Sequence, residues 1–327
     1  MKIICSMIGA ASLLLISCGA AFGEWPERGL TMVTSSPRTV TWSVEEPDVR
    51  AEILRSLVPR LSRELGVPVT LVFRPAGSGV LAGNMVAGAK PDGYVFGALG
   101  GDVAMGRVIQ EFTPYNWAEF VPVSTAWRTL YAVVARADES AGNLLDVPGK
   151  APSDKLRLAH TGLSPIDTPT LLAVRAAQAA GFSWDLKKVD SLNPDYLLKG
   201  EVDAMVVPLG SLRHYPEKDK LKVLTVFTYS TVSPCSAGLP TLATQDLKID
   251  LNPPFAFYLP SKVNWRIRSR LSLAINNALQ QPNVTKAMKN ACLEPFLEDT
   301  DGVSAVLNRE YKQQESVLKS VNIQEKM

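Results

Sequence analysis

Short apolar runs alternate with longer amphipathic segments along the chain. Three of these runs predict strands, because short apolar runs bounded by turn residues are typical of buried strands: LTMVTS (30–35), VTLVF (69–73) and YVFGAL (94–99). Between them, residues 45–66 and 79–89 predict helices, and Pro59 is expected to kink or split the first one. This alternation predicts a largely parallel sheet with helices on both faces.

A second alternation of predicted strands and helices begins after two strands predicted over 120–126 and 130–135. Its elements are a strand over 156–160, a helix over 168–181, strands over 202–207, 222–228 and 254–260, and helices from residue 263 onward. Two α/β units in one chain predict two lobes with a cleft between them. Ligands in such sheets bind at the carboxyl ends of strands, near the loops that open helices.

The start of the chain predicts export. Residues 1–23, MKIICSMIGAASLLLISCGAAFG, are typical of a secretory signal peptide, with cleavage before Glu24. The stretch LISC (15–18) also matches a lipobox, so Cys18 is the alternative, lipidated start of the mature protein. No later apolar run approaches the roughly 20 residues that span a bilayer. We therefore expect a periplasmic protein, either soluble or anchored to the membrane only through Cys18.

Composition and cysteine count exclude several classes of protein. The 327 residues carry a formal net charge of +2, which argues against a nucleic-acid binder. Cys235 and Cys292 remain after the signal, and in an oxidising compartment they either form a disulfide or stay as two buried thiols. The sequence has no CxxC motif and no Cys/His cluster, so neither a metal site nor a cofactor is expected.

The loop RPAGSGVLAG (74–83) between a predicted strand and helix has three candidate chemistries. Gly77, Gly79 and Ala82 match the relaxed dinucleotide pattern G-x-G-x-x-G/A, but Pro75 interrupts the loop, and an exported chain has little access to nicotinamide cofactors. The second candidate is capture of an anion by backbone N–H groups, which attract carboxylates at a helix N-terminus. A tight turn with no function is the alternative to both.

The third candidate is a nucleophilic Ser78. A nucleophile elbow needs G-x-S-x-G, but Ala76 replaces the first glycine. A catalytic triad also needs a histidine, and only His160 and His214 occur in the sequence. The pattern therefore favours a protein that is not an enzyme, with an exported hydrolase as a weaker alternative.

The segment RPAGSGVLAGNMVAGAKPDGYVFGALGG resembles the signature of the extracytoplasmic receptors of the tripartite tricarboxylate transporter family, also called Bug receptors. EWPERGLTMV, YNWAEFVPVSTAWRTLYAVVAR and LLKGEVDAMVVPLGSL are similar to further family segments in the same order. The resemblance implies a type II periplasmic-binding-protein fold of two lobes. It places residues 24–125 and 253–327 in the first lobe and 126–252 in the second.

The resemblance also implies a function and a site. A monomeric receptor of this kind binds a small organic acid or amino-acid-like ligand and delivers it to membrane permease subunits. The ligand-binding positions carried over are Ser35, Ser36 and Arg38 after the first strand, Gly77, Ser78 and Gly79 in the glycine loop, Gly101 and Asp102 after the third strand, and Thr161, Gly162, Ser164 and Thr168 in the second lobe.

One loop departs from the family pattern. The family has a Pro-Gly-Gly loop after the first strand, whereas this chain has TSSPRTVTWSVEEPD, whose Glu45, Glu46 and Asp48 would repel an anion at the helix start. Either Arg38 replaces the lost N–H donors, or the ligand has changed, in which case Asp102 or Asp167 would suit an amine. The second case allows an orphan or sensory binding protein with an altered ligand.

Overall fold

The fold is known from a computed structural model. It describes residues 25–36, 49–76, 79–104, 113–147, 156–160, 168–213, 215–230, 233–249, 254–298 and 300–320. Outside these residues lie the predicted signal peptide with Cys18 and the predicted site residues Arg38, Gly77, Ser78, Thr161, Gly162 and Ser164.

The secondary structure follows the predicted alternation. The strands are β1 (Leu30–Thr34), β2 (Val69–Phe73), β3 (Val95–Leu99), β4 (Phe120–Thr129), β5 (Tyr131–Arg136), β6 (Arg157–His160), β7 (Asp185–Lys188), β8 (Ala204–Pro208), β9 (Leu221–Val226), β10 (Phe255–Pro260) and β11 (Leu293–Pro295). The helices are α1 (Val49–Leu65), α2 (Val80–Ala87), α3 (Gly101–Ala104), α4 (Thr168–Ala179), α5 (Asp195–Leu198), α6 (Leu209–Leu212), α7 (Trp265–Leu279), α8 (Pro282–Asn290) and α9 (Thr300–Ser320). Contrary to the expectation of a split, α1 continues through Pro59.

Two mixed sheets organise the chain. The first has the order β11-β4-β10-β3-β1-β2, and the second has the order β7-β6-β8-β5-β9. In the first sheet β1 is parallel to β2 and β3, while β10 and β11 run antiparallel to their neighbours. In the second, β6 is parallel to β7 and β8, and β5 is antiparallel to β8 and β9. We call each sheet with its helices the first and the second lobe.

In the first lobe, helices cover both faces of the sheet. Neighbouring strand residues point to opposite sides, so both sets of side chains are buried. Met32 faces a cluster with α1, α7 and α8, while the next residue, Val33, faces a cluster with α2 and α9. Both side chains are fully buried. The apolar run in β1 is therefore continuous rather than alternating, as expected for a strand covered on both faces.

The second lobe is built on the same principle. Val133 of β5 packs in the cluster that contains the buried face of α4, and Val134 packs in the cluster on the opposite face. Arg157 and Asp203 tie the starts of β6 and β8 together, with Arg157 Nε and Nη2 donating to the carboxylate at 2.9 and 2.8 Å. Burial opposes the charged form of Asp203, but the hydrogen bonds and charge of Arg157 outweigh it and lower the pKa of this carboxyl below its usual value.

The chain crosses between the lobes at Leu130, the residue between β4 and β5. Its N–H donates to the carbonyl of Cys292 at 3.2 Å, and its carbonyl accepts from the N–H of Leu209 at 2.7 Å. The backbone of this one residue thus joins the turn before β11 to the end of β8. Cys235, beyond β9, forms a disulfide with Cys292 across 57 residues of chain. This disulfide is a third covalent connection between the lobes, beside the two crossings of the chain.

Within the described ranges, no helix is long and apolar enough to cross a membrane. The same ranges contain no group of three or more His, Cys, Asp and Glu side chains that is placed to hold a metal ion.

Candidate functional site

Three loops of the first lobe meet at one edge of its sheet. Thr34, at the end of β1, lies level with Phe73 of β2 and Ala98 of β3, so the segments that follow all three strands leave the sheet together. The chain passes to the second lobe from the same edge, because β4 runs in the same direction as β3. The carboxyl ends of these strands therefore face the lobe junction, which is where an open α/β sheet binds its ligand.

Gly79 brings two of these loops into contact. Its φ of +91° lies in the left-handed region, and a Cβ at this position would stand 2.7 Å from the Cβ of Ser35 and 2.7 Å from Cγ2 of Val103. Real Cβ atoms essentially never approach so closely, so only glycine lets the start of α2 rest against these two residues. The loop therefore needs a glycine at position 79, because Ser35 and Val103 approach its backbone closely.

A second glycine, one turn further along α2, extends the close packing. A Cβ at Gly83 would lie 2.4 Å from the hydroxyl oxygen of Tyr115. That hydroxyl donates to the carbonyl of Val103 at 2.7 Å. Tyr115 therefore holds α2 and α3 together beneath the site. The sequence pattern did not single out Tyr115, although the spacing of Gly79 and Gly83 was a signal for a closely packed helix.

Ser35 and Ser36 follow β1 directly. The Ser35 hydroxyl oxygen accepts a long hydrogen bond, 3.5 Å, from the N–H of Gly100 in the loop after β3. Ser36 is only 4% exposed, its N–H donates to Thr34 Oγ1 at 3.1 Å, and its own hydroxyl has no hydrogen-bond partner in the described part of the chain. A buried hydroxyl without a partner is unfavourable, and this one follows β1 directly at the lobe-facing edge of the sheet.

The predicted residues after β3 lie next to this pair. Gly101 is buried and begins α3, and Asp102 follows in the same short helix. Val103, whose N–H donates to the carbonyl of Gly100 at 3.1 Å, packs against Gly79 as described above. The structure therefore brings Ser35, Ser36, Gly79 and Gly101 into one region of the first lobe.

The second lobe faces this region with the ends of β6 and β8. Pro208, at the end of β8, pairs with Tyr131 at the lobe crossing, and β6 runs parallel to β8. His160, the last residue of β6, is buried, and its carbonyl accepts from the N–H of Val189 at 2.9 Å. Thr168 begins α4, and the predicted site residues Thr161, Gly162 and Ser164 precede it in the sequence, outside the described residues. The two lobes thus turn the carboxyl ends of their parallel strands toward each other.

A protein-family model described as the tripartite tricarboxylate transporter family receptor matches residues 53–323. The chain belongs to this family. Its members are solute-binding receptors rather than a class of enzymes. A curated relative, a UPF0065 protein of Bordetella bronchiseptica, is 26% identical over 259 residues, which cover 76% of this receptor and 74% of the relative.

Solved structures share the fold of the receptor. A solute binding protein of the same family from Polaromonas, without ligand, superposes with a TM-score of 0.74 at 17% identity, covering 91% of the receptor and all of that chain. R. palustris Rpa4515 with adipate superposes with a TM-score of 0.72 at 20% identity, covering 92% of the receptor and 99% of that chain. The two-lobed periplasmic-binding-protein fold expected from the sequence is therefore confirmed.

Proposed function

We propose that this receptor captures a small carboxylated metabolite in the cleft between its lobes and delivers it to a tripartite tricarboxylate-type membrane permease. The observation that carries the proposal is the buried hydroxyl of Ser36, which lies at the cleft-facing edge of the first lobe without a partner among the described residues. A carboxylate accepts a hydrogen bond from such a hydroxyl and removes the cost of leaving it unpaired.

The neighbouring groups suit a carboxylate as well. The start of α2 at Gly79, which packs against Ser35, places the positive end of the helix dipole at the same edge of the first lobe. We propose that Gly77 and Ser78 in this loop, Arg38 beyond Ser36, Asp102, and Thr161, Gly162, Ser164 and Thr168 of the second lobe complete the site. The structural relative from R. palustris holds adipate, a dicarboxylate, which supports a ligand of this class.

A thermal-shift panel of mono-, di- and tricarboxylates, aromatic acids and amino acids tests the ligand class. Binding to the native state stabilises it by RT ln(1 + [L]/Kd), which is about 4 kcal/mol at roughly 1,000-fold excess over Kd. We expect at least one small acid to raise the melting temperature. If every acid leaves the melt unchanged, the proposal of a carboxylate receptor is wrong.

Two serine variants test the role of Ser36. Ser36→Ala should not lower the stability of the free protein, because it removes a buried hydroxyl that has no partner among the described residues, but it should weaken binding of the acid found in the panel. Ser124→Ala is the matched control, since the buried Ser124 hydroxyl bonds to Asn276 Oδ1 and lies outside the cleft edge. It should lower stability and leave the affinity unchanged. Equal affinities of Ser36→Ala and the unmutated protein would contradict the assignment.

A receptor with a changed ligand and no permease is the second candidate. It is favoured by Glu45, Glu46 and Asp48, acidic residues between β1 and α1 that would repel an anion at the helix start. In the same panel this candidate predicts that amine-bearing ligands shift the melt more than simple acids of the same size. The variant Arg38→Ala separates the two, because it should weaken only the binding of acids.

We propose further that the chain is exported and monomeric. The mass of the mature protein distinguishes cleavage before Glu24 from lipidation at Cys18, since a lipid-modified start is heavier than the free polypeptide.

A further inference from the structure

A cavity of about 500 Å³ lies where the two lobes meet beside the disulfide. Its lining includes Arg213 and Cys235 from the second lobe, and Thr285, Lys286, Lys289 and Asn290 from α8 of the first lobe. Cys235 Sγ lies 3.4 Å from the carbonyl oxygen of Lys289, so the disulfide closes one side of the cavity. The cavity is therefore built by both lobes and bordered by their covalent link.

This cavity is separate from the cleft site. The disulfide joins the turn just before β11, and β11 is the edge strand of the first sheet. Four strand spacings separate β11 from β1, or about 19 Å at the usual distance between strands. A ligand in this cavity therefore does not occupy the region of Ser36.

The charges around the cavity are all of one sign. Arg213, Lys286 and Lys289 take part in none of the ion pairs of the described residues, and no acidic side chain lines the cavity within those residues. Helix α8 turns its apolar side inward through the buried Val284 and Met288, which leaves both lysines on its outer side. A concave surface lined by one sign of charge concentrates ions of the opposite sign.

We propose that this cavity is a second ligand site, which binds a small anion carrying two or more carboxylate or phosphate groups. The guanidinium of Arg213 offers two parallel N–H donors to one such group, and the ammonium groups of Lys286 and Lys289 neutralise the other. The amide of Asn290 adds an uncharged donor. Three cations favour a multivalent anion over a monovalent one.

The disulfide keeps the two walls of this site together. It holds the α-carbons of Cys235 and Cys292 at 5.6 Å, and a Cβ at Gly210 of the second lobe would lie 2.2 Å from the carbonyl oxygen of Ala291. The disulfide and this close contact therefore hold Arg213 near α8. The anion site should require this covalent link.

Lysine footprinting tests the proposal on the oxidised full chain. The protein is treated with an amine-acetylating reagent in about 150 mM sodium chloride, where charges more than about 8 Å apart are largely screened. Pyrophosphate and citrate are the two probes, and mass spectrometry reports acetylation of each lysine. At about 80% occupancy of the site, acetylation of Lys286 and Lys289 should slow about fivefold, since only the empty fraction reacts. Lys187 and Lys262, exposed elsewhere on the molecule, serve as controls and should not change.

Variants decide whether the protection comes from this site. Arg213→Gln should abolish the protection of Lys286 and Lys289, and the double variant Cys235→Ser with Cys292→Ser should reduce it. Ser36→Ala should leave it unchanged, which separates this site from the proposed cleft site. Absence of protection, equal slowing of the control lysines, or full protection in Arg213→Gln would overturn the proposal. Full protection in the double cysteine variant would overturn the role of the disulfide.

Discussion

Gly79 and Ser35 lie so close together that a Cβ on Gly79 would stand 2.7 Å from the Cβ of Ser35. The backbone of Gly79 is also left-handed, with φ of +91°. The contact between the loop after β2 and the loop after β1 thus depends on a missing side chain. Both loops belong to the edge at which we place the ligand.

Gly79→Ala should therefore destabilise the protein and disturb the site. The left-handed backbone alone costs a residue with a Cβ about 1–2 kcal/mol, and the clash with Ser35 and Val103 adds to this cost. Gly66→Ala is the control, because Gly66 has φ of +73° with nothing within 4 Å of its Cβ position. Denaturant unfolding should show a larger loss for Gly79→Ala than for Gly66→Ala. Equal losses would mean that the contact is unimportant.

The disulfide should contribute much of the stability of the lobe junction. Cross-linking residues 57 apart reduces the entropy of the unfolded chain, which the chain-entropy model converts to roughly 4 kcal/mol. Cys235→Ser combined with Cys292→Ser should lower the free energy of unfolding by up to that amount, as measured by denaturant unfolding. Reduction of the unmutated protein should give the same loss. An unchanged midpoint in both would contradict the prediction.

Gly210→Ala should strain the same junction from the second lobe. The new Cβ would meet the carbonyl oxygen of Ala291 at 2.2 Å, and a backbone atom moves less readily than a side chain. Overpacking of this kind typically costs about 1–3 kcal/mol. Gly142→Ala is a suitable comparison, because its nearest atom is a side-chain oxygen of Asp146, which lies farther away, at 3.1 Å. Thermal unfolding should therefore separate the two variants, with Gly210→Ala melting at the lower temperature.

The ion pair of Arg157 and Asp203 predicts a pH-dependent stability. The pKa of Asp203 is lowered in the folded protein, so its contribution is complete above the unfolded pKa, about 3.9, and is lost as the pH falls through the lower folded value. Asp203→Asn should cost about 1 kcal/mol at pH 7, since the pair is only partly shielded from water. The difference from the unmutated protein should shrink below about pH 4.

A comparison variant makes this pH effect specific. Asp219→Asn removes an exposed carboxylate that lies outside the ion pairs of the described residues, and it should leave the stability unchanged at both pH values. A loss in Asp203→Asn that persisted at pH 3 would show that shape or packing is responsible rather than the charge.

The sequence pattern predicts the strands that carry the fold because they are buried on both faces. The apolar runs of β1, β2 and β3 all occur where the pattern places them, to within one residue. Strand β7 was missed, since Asp185 and two lysines dominate it and it is held at the edge of its sheet by backbone pairing with β6. An edge strand needs little apolar surface, so its sequence carries a weak signal.

The candidate site was predictable only in part, because some of its residues carry a local sequence signal and others depend on distant contacts. Gly79 was predicted as a site residue because glycine in a loop that opens a helix is a local signal, and its contact with a ligand stays a prediction. Tyr115 was missed because its role rests on a hydrogen bond to Val103, twelve residues earlier, and on space left by Gly83. The link from Cys235 to Cys292 was one of two alternatives, since pairing depends on a fold that brings the end of the chain back to the second lobe.

The strand order of the two sheets has a consequence for biosynthesis. Every strand of the second sheet lies between Tyr131 and Val226, whereas β4 of the first sheet is flanked by β10 and β11, which begin at Phe255 and Leu293. As the chain emerges, all five strands of the second sheet are present while β4 still lacks both of its neighbours. The lobe that is first in sequence is therefore the last to be assembled, and its folding waits on contacts between the most distant parts of the chain.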